Sequence, residues 1–333
     1  MRIANELKFE VWSSFVGSHP HGNIFQTPEL FDLYHQAEKH EPIFVAVTGA
    51  NGAIQGVLLA VIQKEHKGVL GRFSSRAIIW GGPLVKDDSP DILDVLLDAY
   101  NKKIKGRAIY SQFRNLWEWS TEQKAIFVKN GFDYDAHLDI LIDLNTTADG
   151  LLMGMHKGRR KNIRRAERLP LEFLEIVQTL DVKRSLDLIN ITYAKVKLPC
   201  PDESFFIAAK EKLSKTGNLK MFAAKHNGEI IACRFVLCYK KKIYDWYAGA
   251  SEAHLDKYPN DYLPWKIMEW GIDQRYEIFD FGGAGKPGVP YGVRDHKLKF
   301  GGTLTEFGRF EMIHSRFLYQ IGTFAFKIYK KIK

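Results

Sequence analysis

At 333 residues the chain exceeds the size that one hydrophobic core usually serves, so two domains are expected. An apolar fraction of 45% excludes a disordered or fibrous protein, and no apolar run approaches the roughly 18 residues that cross a bilayer. The net charge of +9 is uneven: residues 1–150 hold 15 Lys and Arg against 19 Asp and Glu, residues 151–333 hold 33 against 20, so an anionic partner is expected to meet the second half.

The amino terminus, MRIANELKFEVW, has no signal-peptide core. Cys200, Cys233 and Cys238 form no CxxC pair, and their odd number fits reduced thiols in a cytoplasmic protein. Thr27-Pro28 opens a helix through ELFDLYHQAEKH. Residues 43–62 are two apolar runs around Asn51-Gly52, which predicts a hairpin with a type I′ turn. Ser89 caps and Pro90 starts a helix over ILDVLLDAYNKKI, with Gly106 as the stop, and HLDILIDL at 137–144 reads as a strand closing the first half. The second half repeats the hairpin 176 residues on, at 219–239 around Asn227-Gly228. The repeat predicts duplicated α/β domains over 1–148 and 149–315, followed by an amphipathic helix at 316–333.

"HKGRRKNIRRAER", residues 156–168, carries seven Lys and Arg against Glu167 alone. Leu152, Met155, Ile163 and Ala166 recur at helical steps up to Pro170, leaving a thin apolar stripe on a very basic helix. Charge runs are usually solvated faces, yet so many cations repel one another, and stability gives no reason to collect them. A phosphate-bearing ligand is the better reading. The glycine-rich stretch FDFGGAGKPGVPYGVRDHKLKFGG, 279–302, is not a nucleotide P-loop, because Pro287 stands where Ser or Thr should follow Lys286. Asp280-Phe281-Gly282 lacks the other kinase motifs. HExxH, GxSxG and metal-spaced Cys/His sets are absent, so neither a metal site nor a serine nucleophile is expected. YDWYAGAS, 244–251, reads equally as a buried aromatic strand and as a substrate wall.

In this order, together with IFQTPELF early in the chain, these stretches resemble the Fem-type transferases. That family builds peptidoglycan cross-bridges from aminoacyl-tRNA and belongs to the GNAT superfamily of acyltransferases. The family's basic helix, K-x-x-R-x-N-I-R-x-A, is matched by Lys157, Arg160, Asn162, Ile163, Arg164 and Ala166. Its late Phe-Lys pair ahead of Phe-Gly is matched by His296-Lys297 ahead of Phe300-Gly301, with His in place of Phe. Members acting on a nucleotide-linked muramyl peptide carry Lys eight residues past the Gln of the first motif; Tyr34 stands there, counted from Gln26.

The resemblance implies two tandem GNAT-like (acyl-CoA N-acyltransferase) domains with mixed sheets, and an acyltransferase. Such chemistry needs aligned substrates and a donor group for the oxyanion, not a metal or a protein nucleophile. Lys297 is the expected catalytic residue. Lys157, Arg160, Arg164 and Arg294 are the expected phosphate ligands, and Tyr247 the groove wall. No cofactor is expected to stay bound: the co-substrate is aminoacyl-tRNA or acyl-CoA, and the acceptor is an amine on a phosphate-bearing cell-envelope or surface-glycan precursor. tRNA is a further expected partner. The terminal helix, with Phe317, Ile321, Phe324 and Ile328 on one stripe and Lys327, Lys330, Lys331 and Lys333 near its end, is expected to pack back on the first domain; peripheral contact with the inner membrane surface is its other use. A non-catalytic protein binding RNA or a membrane surface through the same basic face is the alternative, although residues 156–168 hold no aromatic side chain for base stacking.

Overall fold

The computed structural model describes residues 1–65, 71 and 74–332, with side chains in the last helix as far as Phe324. The chain divides into two compact units: residues 1–136, 204–212 and 307 onward form the first, and residues 137–203 and 213–306 the second. The first begins with β1 (Arg2–Ala4), α1 (Phe9–Ser18), α2 (Pro28–Gln36), β2 (His40–Thr48), β3 (Ile54–Gln63), β4 (Arg76–Trp80), β5 (Leu84–Val85), α3 (Pro90–Ile104), β6 (Tyr110–Arg114), α4 (Thr121–Lys129) and β7 (Asp133–Asp135). The second holds β8 (Leu138–Asp143), α5 (Ala148–Gly154), α6 (Lys157–Ala166), β9 (Leu171–Glu175) and α7 (Thr179–Lys195). The chain visits the first unit through α8 (Glu203–Leu213). It then completes the second with β10 (Leu219–His226), β11 (Glu229–Tyr239), β12 (Lys242–Ala250), α9 (Pro259–Asp273), β13 (Ile278–Gly283), α10 (Gly292–Leu298) and β14 (Thr303–Glu306). β15 (Arg309–Ile313) and α11 (Arg316–Ile332) belong to the first unit.

The two sheets run β1-β2-β3-β4-β6-β15-β7 and β9-β10-β11-β12-β13-β8-β14, with β5 paired to β3 outside the first path. In each, an antiparallel hairpin leads to one parallel pair, β4 with β6 and β12 with β13. The duplication expected from the repeated hairpin is therefore present in the strand order.

The sixth strand of each sheet comes from the other side of the expected boundary. β8, placed in the first half by the sequence, pairs with β13 and β14 of the second unit, while β15, placed in the 149–315 domain, pairs with β6 and β7 of the first. A strand's own sequence states its burial pattern, not which open edge it will join.

The hairpins differ as well. Asn227 and Gly228 both have positive φ, 51° and 80°, as a type I′ turn requires. At the earlier site only Gly52 is positive, and Asn51 Oδ1 instead accepts from the Ala53 N–H at 3.1 Å. The first turn is thus a wider loop, closed by Gly49 N–H to the Ala53 carbonyl at 2.8 Å. The basic stretch is not one helix with the residues before it: α5 stops at Gly154 and α6 restarts at Lys157, capped by His156 Nδ1 accepting from the Gly158 N–H.

Candidate active site in the second unit

β12 and β13 are parallel, and α9 supplies the crossover that such a pair requires. They share a ladder at only three positions, Lys242 with Ile278, Ile243 with Phe279 and Tyr244 with Asp280. Beyond Tyr244 and Asp280 they part. Both strands are irregular at that point: β12 shifts register against β11 near Asp245–Tyr247, and β13 against β8 between Asp280 and Gly283. Bulges of this kind re-aim side chains beside functional sites. The resulting fork lies at the carboxyl ends of the parallel strands, where open α/β sheets bind ligands.

Charged side chains fill the fork. Asp280 is buried, and its Oδ1 accepts from the Gly282 N–H at 2.7 Å, with Gly282 at φ 67°. Burial, reinforced by Asp245 and opposed by that N–H and by Lys242 and Lys297, raises the Asp280 carboxyl to a pKa of about 6. Lys297, from α10, points its ammonium at the separated end of β13, donating to the carbonyls of Phe281 at 2.7 Å, Gly283 at 2.9 Å and, more weakly, Gly282 at 3.4 Å. Burial lowers its pKa, while Asp245 and Asp139 counteract. Arg234 of β11 donates to Asp245 of β12, and both are almost entirely buried. Tyr193 of α7 and Tyr247 of β12 set their rings 5.6 Å apart. α7 lies close here because Gly249 has no side chain: a Cβ would stand 2.5 Å from the Ile189 nitrogen.

A second group of residues joins the basic helix to the glycine-rich motif. Arg159, 4% exposed, pairs with Asp261 at the start of α9 and donates through Nη2 to the His296 carbonyl at 2.9 Å and His296 Nδ1 at 3.1 Å. Its guanidinium lies 4.1 Å from the centre of the buried Phe300 ring. The His156 N–H closes the same junction on the Lys299 carbonyl. Gly301, at φ 86°, cannot be replaced, since a Cβ would meet the Gly154 carbonyl oxygen at 2.7 Å. His296 is exposed at its outer edge, while its Nδ1 faces Arg159; desolvation there, then Arg159, Arg234 and the neighbouring lysines, lowers its pKa to about 4. A pocket of about 400 Å³ opens beside this junction, lined among others by His156, Lys161, Arg165, Tyr258, His296 and Lys299. Arg165 reaches the Tyr258 hydroxyl at 3.0 Å. Because Arg159 neutralises Asp261, the remaining lining is net positive and suits a phosphate. Among the described residues, no group of His, Cys, Asp or Glu is placed to hold a metal ion.

Residues 157–297 match the sequence family of the acetyltransferase (GNAT) domain. The match begins at Lys157 and ends at Lys297, in the two motifs that Arg159 joins. Over 313 residues, 82% of this chain and 83% of the relative, the sequence is 21% identical to a UDP-N-acetylmuramoylpentapeptide-lysine N(6)-alanyltransferase of Weissella viridescens. The crystal structure of FemX superposes with a TM-score of 0.74 at 17% identity, covering 96% of this chain and 99% of that one. L-PGS from Bacillus licheniformis gives 0.62 at 18% identity, with 98% of each chain covered. Residues 157–297 thus carry a GNAT acyltransferase domain, and the whole chain is similar to Fem-type transferases in fold.

The expected site residues fall into three groups. Lys297 and Tyr247 are at the fork. Lys157 and Arg164 are exposed on α6 and, among the described residues, make no ion pair or side-chain hydrogen bond. Arg160 and Arg294 are employed differently from expectation. Arg160 Nη1 donates to the carbonyls of Met153 and Met155, tying the last turn of α5 to α6. Arg294 donates to the carbonyls of Ala284, Lys286 and Val289 and holds the glycine-rich loop in shape. Lys297 likewise holds backbone carbonyls rather than presenting free N–H groups. Sequence reasoning missed Arg159, Arg234, Asp245 and Asp280. For Arg159 a signal existed: it lies between Met155 and Ile163 on the apolar stripe, where a cation must find a partner.

Proposed function

We propose that the chain transfers an aminoacyl group from aminoacyl-tRNA to an amine on a phosphate-bearing envelope or surface-glycan precursor. The observation that carries this reading is the fork, where a buried carboxylate stands at the parting of two parallel strands and the Lys297 ammonium is held on the carbonyls of the separated end of β13. The amine nitrogen attacks the ester carbonyl, the C–N bond forms, the ester C–O bond breaks, and the proton lost by the amine reaches the leaving hydroxyl. Asp280, largely ionised at neutral pH, takes that proton first. Lys297 stabilises the oxyanion through its charge, and its three carbonyl bonds keep the charge in place. Tyr247 lines the fork. Lys157 and Arg164, with Lys161 and Arg165 of the pocket, bind phosphates.

The choice of donor is supported by the carbonyls of 281–283. An acyl-CoA would offer them the amide N–H groups of its pantetheine arm, but Lys297 already occupies them. On the acceptor side, Tyr34 is buried and stacked against His40, so the position that carries Lys in muramyl-peptide-specific members presents no cation. We therefore propose a phosphate-bearing acceptor recognised without that contact. Incubation with labelled aminoacyl-tRNA or labelled acyl-CoA and a panel of envelope-precursor amines tests both points. Label is expected in the amine only from aminoacyl-tRNA; transfer from acyl-CoA alone overturns the donor assignment.

A further inference from the structure

Within the first unit, α11 has two different ends. Its first turn is packed: the Tyr319 hydroxyl donates to Glu311 at 3.1 Å, and its ring stands edge-on to Tyr110 with centroids 5.5 Å apart. From Gln320 to Phe324 every residue is exposed. Phe317, Ile321 and Phe324 follow steps of four and three, so they share one face of the helix. That face is open, at 72%, 51% and 67% exposure. Among the described side chains of α11, packing on the first unit is confined to the first turn. Ile328 and the terminal lysines lie beyond the described side chains.

A contiguous exposed stripe of large apolar side chains marks an interaction surface. We propose that α11 seats the first unit on the surface of a bilayer containing anionic phospholipid. The charge of the segment favours that occupant: residues 316–333 hold Arg316, Lys327, Lys330, Lys331 and Lys333 and no acidic residue. A second copy of the helix would bring like charges together. RNA would satisfy the cations but leave the apolar stripe in water. An interfacial helix uses both, with the apolar face among the acyl chains and the cations at the headgroups. Insertion across the bilayer is not involved, because among the described residues no helix is long and apolar enough to span one. This inference is independent of the chemistry at the fork.

The test is flotation of the full chain with phosphatidylcholine vesicles, with or without about one-third phosphatidylglycerol. The protein should float with the anionic vesicles only and be released by high salt. Phe317→Glu with Phe324→Glu should weaken binding by about tenfold or more. The melting temperature should not change, since both side chains are already exposed. Failure of the wild type to float overturns the proposal, and so does equal flotation of the double variant. It is also overturned if the variant loses retention on RNA, or a dimer seen by light scattering, while vesicle binding persists.

Discussion

Each sheet has a place where neighbouring strands separate and a long polar side chain enters. In the first unit that side chain is Gln26, fully buried: its amide donates to the Leu59 carbonyl at 3.1 Å and the Trp80 carbonyl at 2.7 Å, and its oxygen accepts from the Leu59 N–H at 2.8 Å. In the second it is Lys297, an ammonium facing three carbonyls beside a buried carboxylate. The parallel ladder next to Gln26 is whole over five positions, Arg76 to Trp80 against Tyr110 to Arg114, whereas that next to Lys297 stops after three. A neutral amide with matched partners closes a gap and leaves nothing to react. A buried charge in an opened ladder leaves donors, acceptors and a shifted pKa where a substrate can enter. Two copies of one fold thus differ at the same kind of gap: one is sealed, and the other is the site we propose.

The sharpest way to break this contrast is Asp280→Asn. The amide can still accept from the Gly282 N–H, but it cannot take a proton, so kcat should fall by roughly 10²–10⁴-fold. In the wild type, activity should decline as pH drops through about 6, and in the variant that limb should vanish. Stability should move the other way. The folded pKa of Asp280 is raised, so ionisation disfavours the folded state as pH rises through the interval between the unfolded and folded values. The variant should therefore resist urea better than the wild type at pH 7, and the advantage should disappear toward pH 4. An active Asp280→Asn enzyme removes the carboxylate from the chemistry.

Lys297→Met should lower kcat about a hundredfold with little change in KM. It also strips the Phe281 and Gly283 carbonyls of their donor, so the melting temperature should fall. Lys299→Met, two residues on in the basic pocket, should raise KM and spare kcat. Equal kcat in the two variants would return Lys297 to a purely structural role like that of Gln26.

The reciprocal experiment is Gln26→Ala. It orphans one buried N–H and two carbonyls and should destabilise the protein by about 3 kcal/mol in urea titrations. The fraction still folded should keep its kcat; a large loss there would show that the seal takes part in chemistry. The smallest effect is expected from Lys157→Ala with Arg164→Ala. KM for the phosphate-bearing substrate should rise about tenfold, and its dependence on salt should flatten. An unchanged salt slope in calorimetry would make the exposed face of α6 merely solvated.

Several elements were legible because their cause is local. Thr27 caps and Pro28 starts α2, and Pro90 starts α3, since caps and fixed φ angles act within one turn; Ser89, expected to cap α3, makes no side-chain capping hydrogen bond. The second hairpin needed only Asn227 and Gly228. The order of the motifs was enough for the duplicated fold and the acyltransferase class. The partners of the site were not legible, because contact between residues far apart in sequence has no local signature. Arg159 meets His296 across 137 residues, and Lys297 meets the carbonyl of Phe281 only because α10 folds back on β13.

The amino-acid sequence by itself determined the paired α/β repeats, the basic helix and the late lysine, since periodicity, turn chemistry and charge are properties of neighbours along the chain. The tertiary structure decided which sheet receives β8 and β15, and that Arg160 and Arg294 hold carbonyls. It also decided that Asp280 becomes a buried acid with a raised pKa, because strand pairing and desolvation are set by whatever else the fold brings to the same place.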